Sequence, residues 1–383
     1  MIKQILYIIL LLFIAVGCKN TGNENRNAGS GSQRISDNVQ YAEKFRTEKI
    51  GDATLLEVFT PWQNASETSF RYVAASDRTA VPDSVRGHTF IKTPVQRVVI
   101  MSTTFIPFLD TLGELHTIRG ISGGNNIYDT ELYKQYLTGS LREVGHDHNL
   151  NYEVLVDLDP DVIFMFGVQS GIVQSIRKLE DIGIPVVLCA DYLEPHPLGR
   201  SEWLKFFSVF FEKEEMADSL FGDIVKKYND LVFSASCFTE IPKVMLGLPW
   251  KDSWHVAGGR SFAAQLIRDA GGEYIYEDLD NTEAKPYSIE SVFMRGQDAR
   301  IWINPGVAKS RKAILDHDQR FGALSSFREE RVFNNIKRLG PGGGNDYWES
   351  GVLRPDLILS DLIRIFHHPG VTNDSLHYYL KLN

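Results

Sequence analysis

The chain has 383 residues, of which 40 are basic and 49 acidic, so its formal net charge is −9. At about 150 residues per domain, this length predicts two domains or one large one. Because 43% of the residues are hydrophobic and 23% are charged, the chain can bury a substantial core and is not disordered overall. The acidic balance argues against nucleic acid as the main partner, since phosphate binding depends on clustered Lys and Arg. The three cysteines are too few for a disulfide scaffold and show no zinc-type CxxC pair.

The start of the chain has the pattern of an export signal. Lys3 precedes an apolar run over residues 5–16, which is shorter than the roughly 20 residues that a membrane-spanning helix needs. The small residues directly before Cys18 resemble the lipobox of bacterial lipoproteins, in which the cysteine carries acyl chains such as palmitate. An ordinary signal peptide with an incidental cysteine is the alternative. We therefore expect a signal peptide over residues 1–17 and lipidation at Cys18.

The segment after Cys18 is rich in Asn, Gly and Ser and contains no aromatic residue as far as residue 38. Such a segment cannot bury enough surface to offset its ordering entropy, so we expect a flexible tether over residues 18–40. Loss of residues 1–17 would change the net charge to −10. Attachment to the extracytoplasmic (periplasmic) side of a bacterial membrane would therefore depend on acyl chains and not on a polybasic surface.

Apolar runs separated by turns predict an α/β fold for the rest of the chain. An apolar strand at residues 97–101 is followed by a hydroxyl-rich turn and a helix over residues 105–115, which is the pattern of an α/β unit. A second helix is predicted over residues 173–182. The other predicted strands are 54–59, 70–73, 162–166, 186–190, 244–248, 301–303 and 331–333.

Aromatic and aliphatic residues recur at near-helical spacing over residues 199–235, with Ser201 as a plausible N-cap. We interpret this segment as one long linking helix, with a candidate break near Glu212 to Glu215, between an N-terminal lobe (41–198) and a C-terminal lobe (236–383). Two successive ordinary helices are the alternative.

The two halves share a local pattern. Asn151 and Ser288 are helix-cap candidates, Glu153 and Glu290 follow two positions later, and each segment then enters an apolar strand. An acidic residue in the first turn of a helix is also stabilised by the helix dipole, so one such glutamate by itself does not indicate a function. Matching spacing in both halves favours a duplicated two-lobe architecture.

In order and spacing, several segments between residues 97 and 366 resemble the substrate-binding proteins of ABC importers, in the cobalamin and iron-siderophore class. They include RVVIMSTTFIPFLDTLGELHTIRGIS, VGHDHNLNYEVLVDLDPDVIF, HVAGGRSFAAQLIRDAGGEYI and YWESGVLRPDLILSDLI. The resemblance implies two α/β lobes bridged by one long rigid helix, with a metal chelate held in the cleft between them. It further implies a monomeric binding protein without enzymatic activity or cofactor. Its partners would be a permease with its ATPase subunits, and Glu153 and Glu290 would dock onto arginines of that permease.

The ligand residues are nominated by a rule for open α/β sheets, in which ligands bind outside the carboxyl ends of the strands. Aromatic residues there would form flat walls for a chelate, and an arginine could bind ligand oxygens. The Gly-rich segment at residues 340–344 lacks the ending of a phosphate loop, so we expect a cleft-edge loop. The nominated residues are Ser102, Thr103, Thr104, Gln169, Tyr192, Trp250, Trp254, Asn304, Arg338, Tyr347 and Trp348.

Other functions remain open at this point. His146-Asp147-His148 and His367-His368 suggest direct metal-ion binding, although turn histidines are more often solvated. An extracytoplasmic hydrolase on a two-lobe frame would need a nucleophile or a carboxylate pair, and we find no such motif. We expect Cys189 to be a buried hydrophobe, and we do not expect it to pair with Cys237 because the two fall in different predicted lobes.

Overall fold

The computed structural model describes residues 39–383. The predicted signal peptide, Cys18 and most of the predicted tether therefore lie outside the described residues. Within residues 39–383, no helix combines the length and the apolar character needed to cross a membrane.

The described chain begins with a small sheet in the order β1-β2-β3-β4, antiparallel except for its parallel β3–β4 pair. In β2, the buried Glu57 lies opposite Arg46 of β1 and Arg71 of β3. Burial acts to raise the pKa of Glu57, but hydrogen bonds from Arg46, Ser69 and Arg71 outweigh it, so the pKa is lowered. The strands are β1 (Phe45–Ile50), β2 (Ala53–Phe59), β3 (Ser69–Ala75) and β4 (Thr89–Lys92).

The next part of the chain forms the first α/β lobe. Its five-stranded sheet has the order β11-β10-β5-β6-β7, and every neighbouring pair is parallel. Helices cover both faces of a sheet of this kind, which is why β10 has the continuous apolar sequence VIFMF. The elements are β5 (Val98–Ile100), α1 (Ile106–Thr111), β6 (Ile118–Ile121), α2 (Thr130–Thr138), β7 (Arg142–Glu143), β8 (Gly145–His146), β9 (Asn149–Leu150), α3 (Tyr152–Leu158), β10 (Val162–Phe166), α4 (Ile172–Asp181) and β11 (Val186–Cys189).

Two helices, α5 (Pro197–Val209) and α6 (Glu214–Ser236), connect this lobe to the second one. The prediction of one linking helix over residues 199–235 is therefore wrong in its continuity, whereas the candidate break near Glu212 to Glu215 is confirmed. The helix is interrupted because Glu212 has a positive φ of 56°. Its carboxylate accepts a hydrogen bond from Thr93 (2.9 Å), and the nearby Phe210 carbonyl accepts one from the amide of Val95 (3.0 Å). Contacts with a distant segment thus hold the break in place.

The second lobe contains a sheet in the order β14-β12-β16-β17-β18, parallel except for its last pair. A short β13–β15 ribbon accompanies it. The elements are β12 (Lys243–Leu246), β13 (Trp254–Val256), α7 (Phe262–Asp269), β14 (Glu273–Tyr274), β15 (Lys285–Tyr287), α8 (Ile289–Arg295), β16 (Ile301–Ile303), α9 (Arg311–His317), α10 (Ser325–Arg328), β17 (Val332–Asn334), α11 (Ser350–Leu353), α12 (Pro355–His367) and β18 (Leu380–Lys381).

One contiguous hydrophobic core includes residues of both sheets and of the two connecting helices. Helix α5 lies at its centre, with Phe206 and Phe207 fully buried. The predicted strands are confirmed to within a few residues, because their apolar runs are the parts of the chain that this core buries. Cys189 is buried and Cys237 exposed, and both are free thiols.

The end of the tether is fastened to α5 and to the loop before it by two buried carboxylates. Glu202 accepts hydrogen bonds from the amides of Gln40, Tyr41 and Ala42 at 2.7–3.0 Å. Glu194 accepts bonds from the amides of residues 43 and 44 and from the indole of Trp203. Five consecutive backbone amides are thereby satisfied by side chains more than 140 residues away.

Candidate ligand-binding site

A cavity of about 210 Å³ lies at the carboxyl ends of the strands in the first lobe. Met101 follows β5, Ser122 follows β6, and Met165 and Phe166 end β10, so three neighbouring strands contribute to it. Since parallel strands all end at one edge of the sheet, this is where an open α/β sheet offers a binding site. The lining residues are Met101, Ser102, Thr103, Ser122, Gly123, Asn126, His146, Asp147, Met165 and Phe166.

The turn after β5 is ordered by its own hydroxyl groups. Ser102 caps the following short helix by accepting a hydrogen bond from the amide of Thr104, and its hydroxyl lies 2.8 Å from the Thr104 hydroxyl. The Met101 amide donates to Phe164 of the neighbouring strand (2.9 Å). This arrangement fixes Ser102 and Thr103 at the cavity wall.

A short hairpin, β8–β9, brings His146 to the cavity. His146 pairs with Asn149 across the hairpin, and the turn between them contains Asp147 and His148. Gly145 has a φ of 82°, and a Cβ atom there would lie 2.3 Å from the Asn149 carbonyl oxygen, so only glycine fits. The Nδ1 atom of His146 lies 3.0 Å from the hydroxyl of Ser122. The imidazole is therefore held beside the end of β6 in the sheet of the first lobe.

The Gly-rich segment of the second lobe packs against the first lobe beside this cavity. A Cβ atom at Gly344 would lie 2.2 Å from the backbone oxygen of Asn126, one of the cavity residues. The guanidinium of Arg338 lies 5.2 Å from the ring centre of Tyr128 and is bonded to Asp346. We call residues 338–349 the strap, because this segment joins the two lobes at one edge of the cavity.

Glu349 ends the strap with two hydrogen bonds across the lobe boundary. Its carboxylate accepts from the amides of Tyr128 (2.9 Å) and Asp129 (3.1 Å). The residue is only 4% exposed. Burial raises the pKa of Glu349 to about 7, against the opposing effect of these two amides.

The second lobe presents apolar side chains in the loops after its parallel strands. Trp250, beyond the end of β12, is 68% exposed, and Val307, beyond β16, is 83% exposed. Trp348 in the strap is 47% exposed. These three side chains are therefore accessible to a ligand or a partner.

The nominated ligand residues divide into three groups. Ser102 and Thr103 line the cavity, Thr104 braces their turn, and Tyr192 donates a hydrogen bond to the Gly167 carbonyl at the end of β10 (2.6 Å). Gln169, Trp250 and Trp348 are exposed loop residues. Trp254 lies in β13, Asn304 directly follows β16, and Arg338 and Tyr347 lie in the strap.

Two nominated aromatics do not fit a role as ligand walls, and these expectations are corrected. Trp254 is fully buried, donates its indole N–H to the Leu246 carbonyl, and packs against Trp302 and Phe321. Tyr347 is 4% exposed and packs against other tyrosine rings. Arg338, expected to bind ligand oxygens, has its charge matched by Asp346. Asn304 has a positive φ of 53°, and its side chain lies beside the hydroxyl groups of Tyr347 and Tyr379.

Most of the residues that line the cavity are not among the nominated ligand residues. Ser122 and Asn126 follow β6, a strand whose sequence IRGI is too short and too interrupted to stand out. Met101 and Met165 were assigned to strands, and His146 was considered only as part of a metal-binding motif. The one available signal was positional, because Ser122 directly follows an apolar segment in the same way that Ser102 does.

The two histidine clusters have different environments. Within residues 39–383, no group of three or more His, Cys, Asp or Glu side chains is arranged to hold a metal ion. His367 stacks on Phe238 at 4.0 Å and bonds to the Ala270 carbonyl, so it has a packing role. His146, by contrast, lines the cavity.

Glu153 and Glu290 occupy equivalent places on α3 and α8. Each is exposed and is the second residue of a seven-residue helix that begins directly after its side-chain cap, Asn151 or Ser288. Their surroundings differ, because Glu290 pairs with Arg320 (3.3 Å), whereas Glu153 makes no ion pair with any described residue.

This fold and the position of its cavity are those of a two-lobe solute-binding protein. The family model for periplasmic binding proteins matches residues 98–334, well over half of the chain, so the chain belongs to that family. Members of this family are binding proteins rather than enzymes.

Relatives and solved structures agree with this assignment. An uncharacterized lipoprotein of Methanocaldococcus jannaschii is 28% identical over 302 residues, covering 76% of this chain and 70% of the relative. A periplasmic heme-binding protein from Pseudomonas aeruginosa has a TM-score of 0.57 at 17% identity, covering 76% of this chain and 98% of that one. A possible iron-binding periplasmic solute-binding protein from Staphylococcus epidermidis has a TM-score of 0.56 at 18% identity, covering 71% and 99%. At these identities the two structures establish the shared fold.

Proposed function

We propose that this protein is a lipid-anchored, extracytoplasmic solute-binding protein that captures a metal chelate and delivers it to an ABC importer. The observation that carries the proposal is the cavity at the carboxyl ends of β5, β6 and β10, bordered by the strap from the second lobe. Catalytic chemistry is not required of such a protein. Its work is to enclose the ligand and to present it to a permease, whose ATPase subunits supply the energy.

The side chains that line the cavity suit a metal chelate of the ferric siderophore or cobalamin type. The cavity wall combines thioether and aromatic groups (Met101, Met165, Phe166) with hydroxyl groups (Ser102, Ser122). Apolar walls with a few fixed polar groups are typical of small-molecule sites. The volume of about 210 Å³ is below the roughly 300–1,000 Å³ of such sites, so the rest of the ligand would lie against the second lobe.

The ligand proposal is tested by titrating the full chain, purified in detergent, with cobinamide, cobalamin, haemin and several ferric siderophores while tryptophan fluorescence is measured. Trp250 and Trp348 are exposed enough to report a bound ring or chelate. We expect at least one of these compounds to bind with sub-micromolar affinity. Failure of all of them to bind would contradict the chelate proposal.

Docking on the permease would use Glu153 and Glu290, one on each lobe. Charge reversal of both residues (Glu153→Arg with Glu290→Arg) is expected to abolish uptake while ligand affinity stays unchanged, because both side chains are exposed and neither lines the cavity. Glu131→Arg, at another exposed helical glutamate, is the matched control. Uptake that survives the double reversal would contradict this docking role.

Anchoring through Cys18 is the remaining part of the proposal, and it draws support from relatives that are named lipoproteins. Cells expressing the chain are labelled with radioactive palmitate, and Cys18→Ala is compared with the unchanged chain. We expect the label and the membrane fraction to be lost together. A Cys18→Ala protein that still partitions into membranes would contradict lipid anchoring.

A further inference from the structure

We propose that His146 coordinates the metal of the bound chelate, and that the ligand is therefore a chelate whose metal keeps one position open or exchangeable, such as the axial position of a planar macrocycle. This inference rests on the proposed function of the cavity as a chelate site. It excludes chelates whose donor atoms already occupy every position around the metal, as in a ferric ion wrapped by three hydroxamates or three catecholates.

The first argument is the hydrogen-bond state of the imidazole. The Nδ1 atom of His146 is engaged by the Ser122 hydroxyl at 3.0 Å, and no described residue bonds to its Nε2 atom. A histidine that binds metal through one nitrogen ordinarily has its other nitrogen held by a hydrogen bond, which fixes the tautomer and the ring orientation. His146 is arranged in this way on the wall of the cavity.

The second argument is that the imidazole is held from several sides. Ser122 is fixed by its own amide, which donates to the Ile100 carbonyl of the central strand (3.0 Å). The turn beyond His146 is held by Ser175 of α4, whose hydroxyl donates to the Asp147 carbonyl (3.2 Å). With the His146–Asn149 pair in the hairpin, these contacts make the ring a preorganised ligand.

The third argument is charge. Among the described residues that line the cavity, the ionisable groups are Asp147 and His146. A chelate that turns anionic oxygen atoms towards this wall would be repelled by Asp147, and Arg338, the arginine that was expected to neutralise such a ligand, is bonded to Asp346. A metal centre that carries positive charge is attracted by the same carboxylate. The cavity therefore selects a chelate through its metal and its flat apolar face.

The apolar wall agrees with a planar ring. Met101, Met165 and Phe166 form this part of the lining. Thioether and aromatic side chains pack well on conjugated rings because they are polarizable.

The test uses haemin, which has exchangeable axial positions, metal-free protoporphyrin, which has the same ring without a metal, and ferric desferrioxamine, which is saturated. Binding to the full chain is followed by the Soret absorption and by the electron paramagnetic resonance of the ferric ion. His146→Ala is compared with His148→Ala, which removes an imidazole two residues away whose side chain is 87% exposed and is not part of the cavity wall.

We expect the unchanged chain and His148→Ala to bind haemin with an imidazole-ligated spectrum. His146→Ala should lose that spectrum and bind haemin roughly ten-fold or more weakly, while its affinity for metal-free protoporphyrin stays unchanged. Because His146 is itself exposed, equal melting temperatures are expected and show that the variant is folded.

Three outcomes would overturn the inference: a His146→Ala spectrum equal to that of the unchanged chain, an equal loss in His148→Ala, or tighter binding of ferric desferrioxamine than of haemin. The last of these would leave the proposed function standing, since a chelate would still be bound. Binding of none of the three probes and none of the other chelates would instead contradict the proposed function itself.

Discussion

At the scale of single residues, buried carboxylates connect segments that are far apart in the chain. Glu349 and Glu194 are 4% and 2% exposed, and each accepts hydrogen bonds from backbone amides of a distant segment. Burial raises the pKa of both to about 7, above the ordinary value of 4.5. The folded protein therefore binds more protons at these two sites than the unfolded chain does between pH 4.5 and 7.

The resulting pH dependence has a definite sign. A raised pKa contributes stability that is fully present below pH 4.5 and is lost as the pH rises through 7. We expect the free energy of unfolding, measured by urea denaturation, to be less pH-dependent in Glu349→Gln than in the unchanged chain. In Glu349→Gln, the difference between the free energies of unfolding at pH 5 and at pH 8 should be smaller by about 2–3 kcal/mol, since one pKa unit corresponds to about 1.4 kcal/mol. Glu131→Gln, at an exposed site, should leave the pH dependence unchanged. An identical effect of both variants would show that the pH dependence does not come from the raised pKa of Glu349.

Two tryptophans close in sequence should respond in opposite ways. Trp254 is fully buried against Trp302, so Trp254→Ala is expected to lower the free energy of unfolding by about 3–5 kcal/mol. Trp250 is 68% exposed, so Trp250→Ala should change stability by no more than about 0.5 kcal/mol and should weaken ligand binding instead. Denaturation and ligand titration of both variants separate the effects. A Trp250→Ala protein with unchanged affinity would remove Trp250 from the site.

At the scale of elements, the connection between the tether and the folded part depends on α5. The helix itself is almost entirely buried, and its Glu202 has no exposed surface. A carboxylate in this position is stabilised because the amides of residues 40–42 point at it and Lys205 lies 3.4 Å away. The segment after the tether is therefore part of the folded structure and not an extension of the tether.

Replacing this carboxylate by an amide tests the attachment. Glu202→Gln keeps one acceptor oxygen but points an N–H donor at backbone donors, so at least one bond to a charged group is lost. We expect the free energy of unfolding to fall by about 1.5–3 kcal/mol. The control is Glu215→Gln on α6, where the side chain is exposed. Faster hydrogen exchange at the amides of residues 40–42 should accompany the loss, and unchanged exchange there would contradict the attachment.

For the whole molecule, the strap decides how the two lobes are joined beside the cavity. Tyr128 and Asp129 belong to the first lobe and Glu349 to the second, and they are 221 and 220 residues apart in sequence. The backbone of Gly344 passes so close to that of Asn126 that a side chain would not fit between them. Together with the continuous core around α5, this contact favours limited movement of the lobes on ligand binding.

The strap is tested by adding one methyl group. In Gly344→Ala the new Cβ would lie 2.2 Å from the Asn126 oxygen, so the strap must move away from the first lobe. We expect faster hydrogen exchange at the amides of Tyr128 and Asp129 and weaker ligand binding. Gly222→Ala adds a methyl group on α6, where nothing lies within 4 Å, and should leave both quantities unchanged. Equal exchange in the two variants would show that the strap does not hold the lobes.

The sequence by itself determined the strands, the capped helices α3 and α8, and the family. These features are local: apolar runs such as VIFMF reflect burial on both faces of a parallel sheet, and Asn151 and Ser288 bond to amides three residues away. The tertiary structure alone decided which side chains face the cavity. It placed Trp254 in the core and left Trp250 exposed, matched Arg338 with Asp346, and brought His146 to Ser122. The physical reason is that a loop residue is positioned by partners distant in the chain, and no local periodicity records those partners.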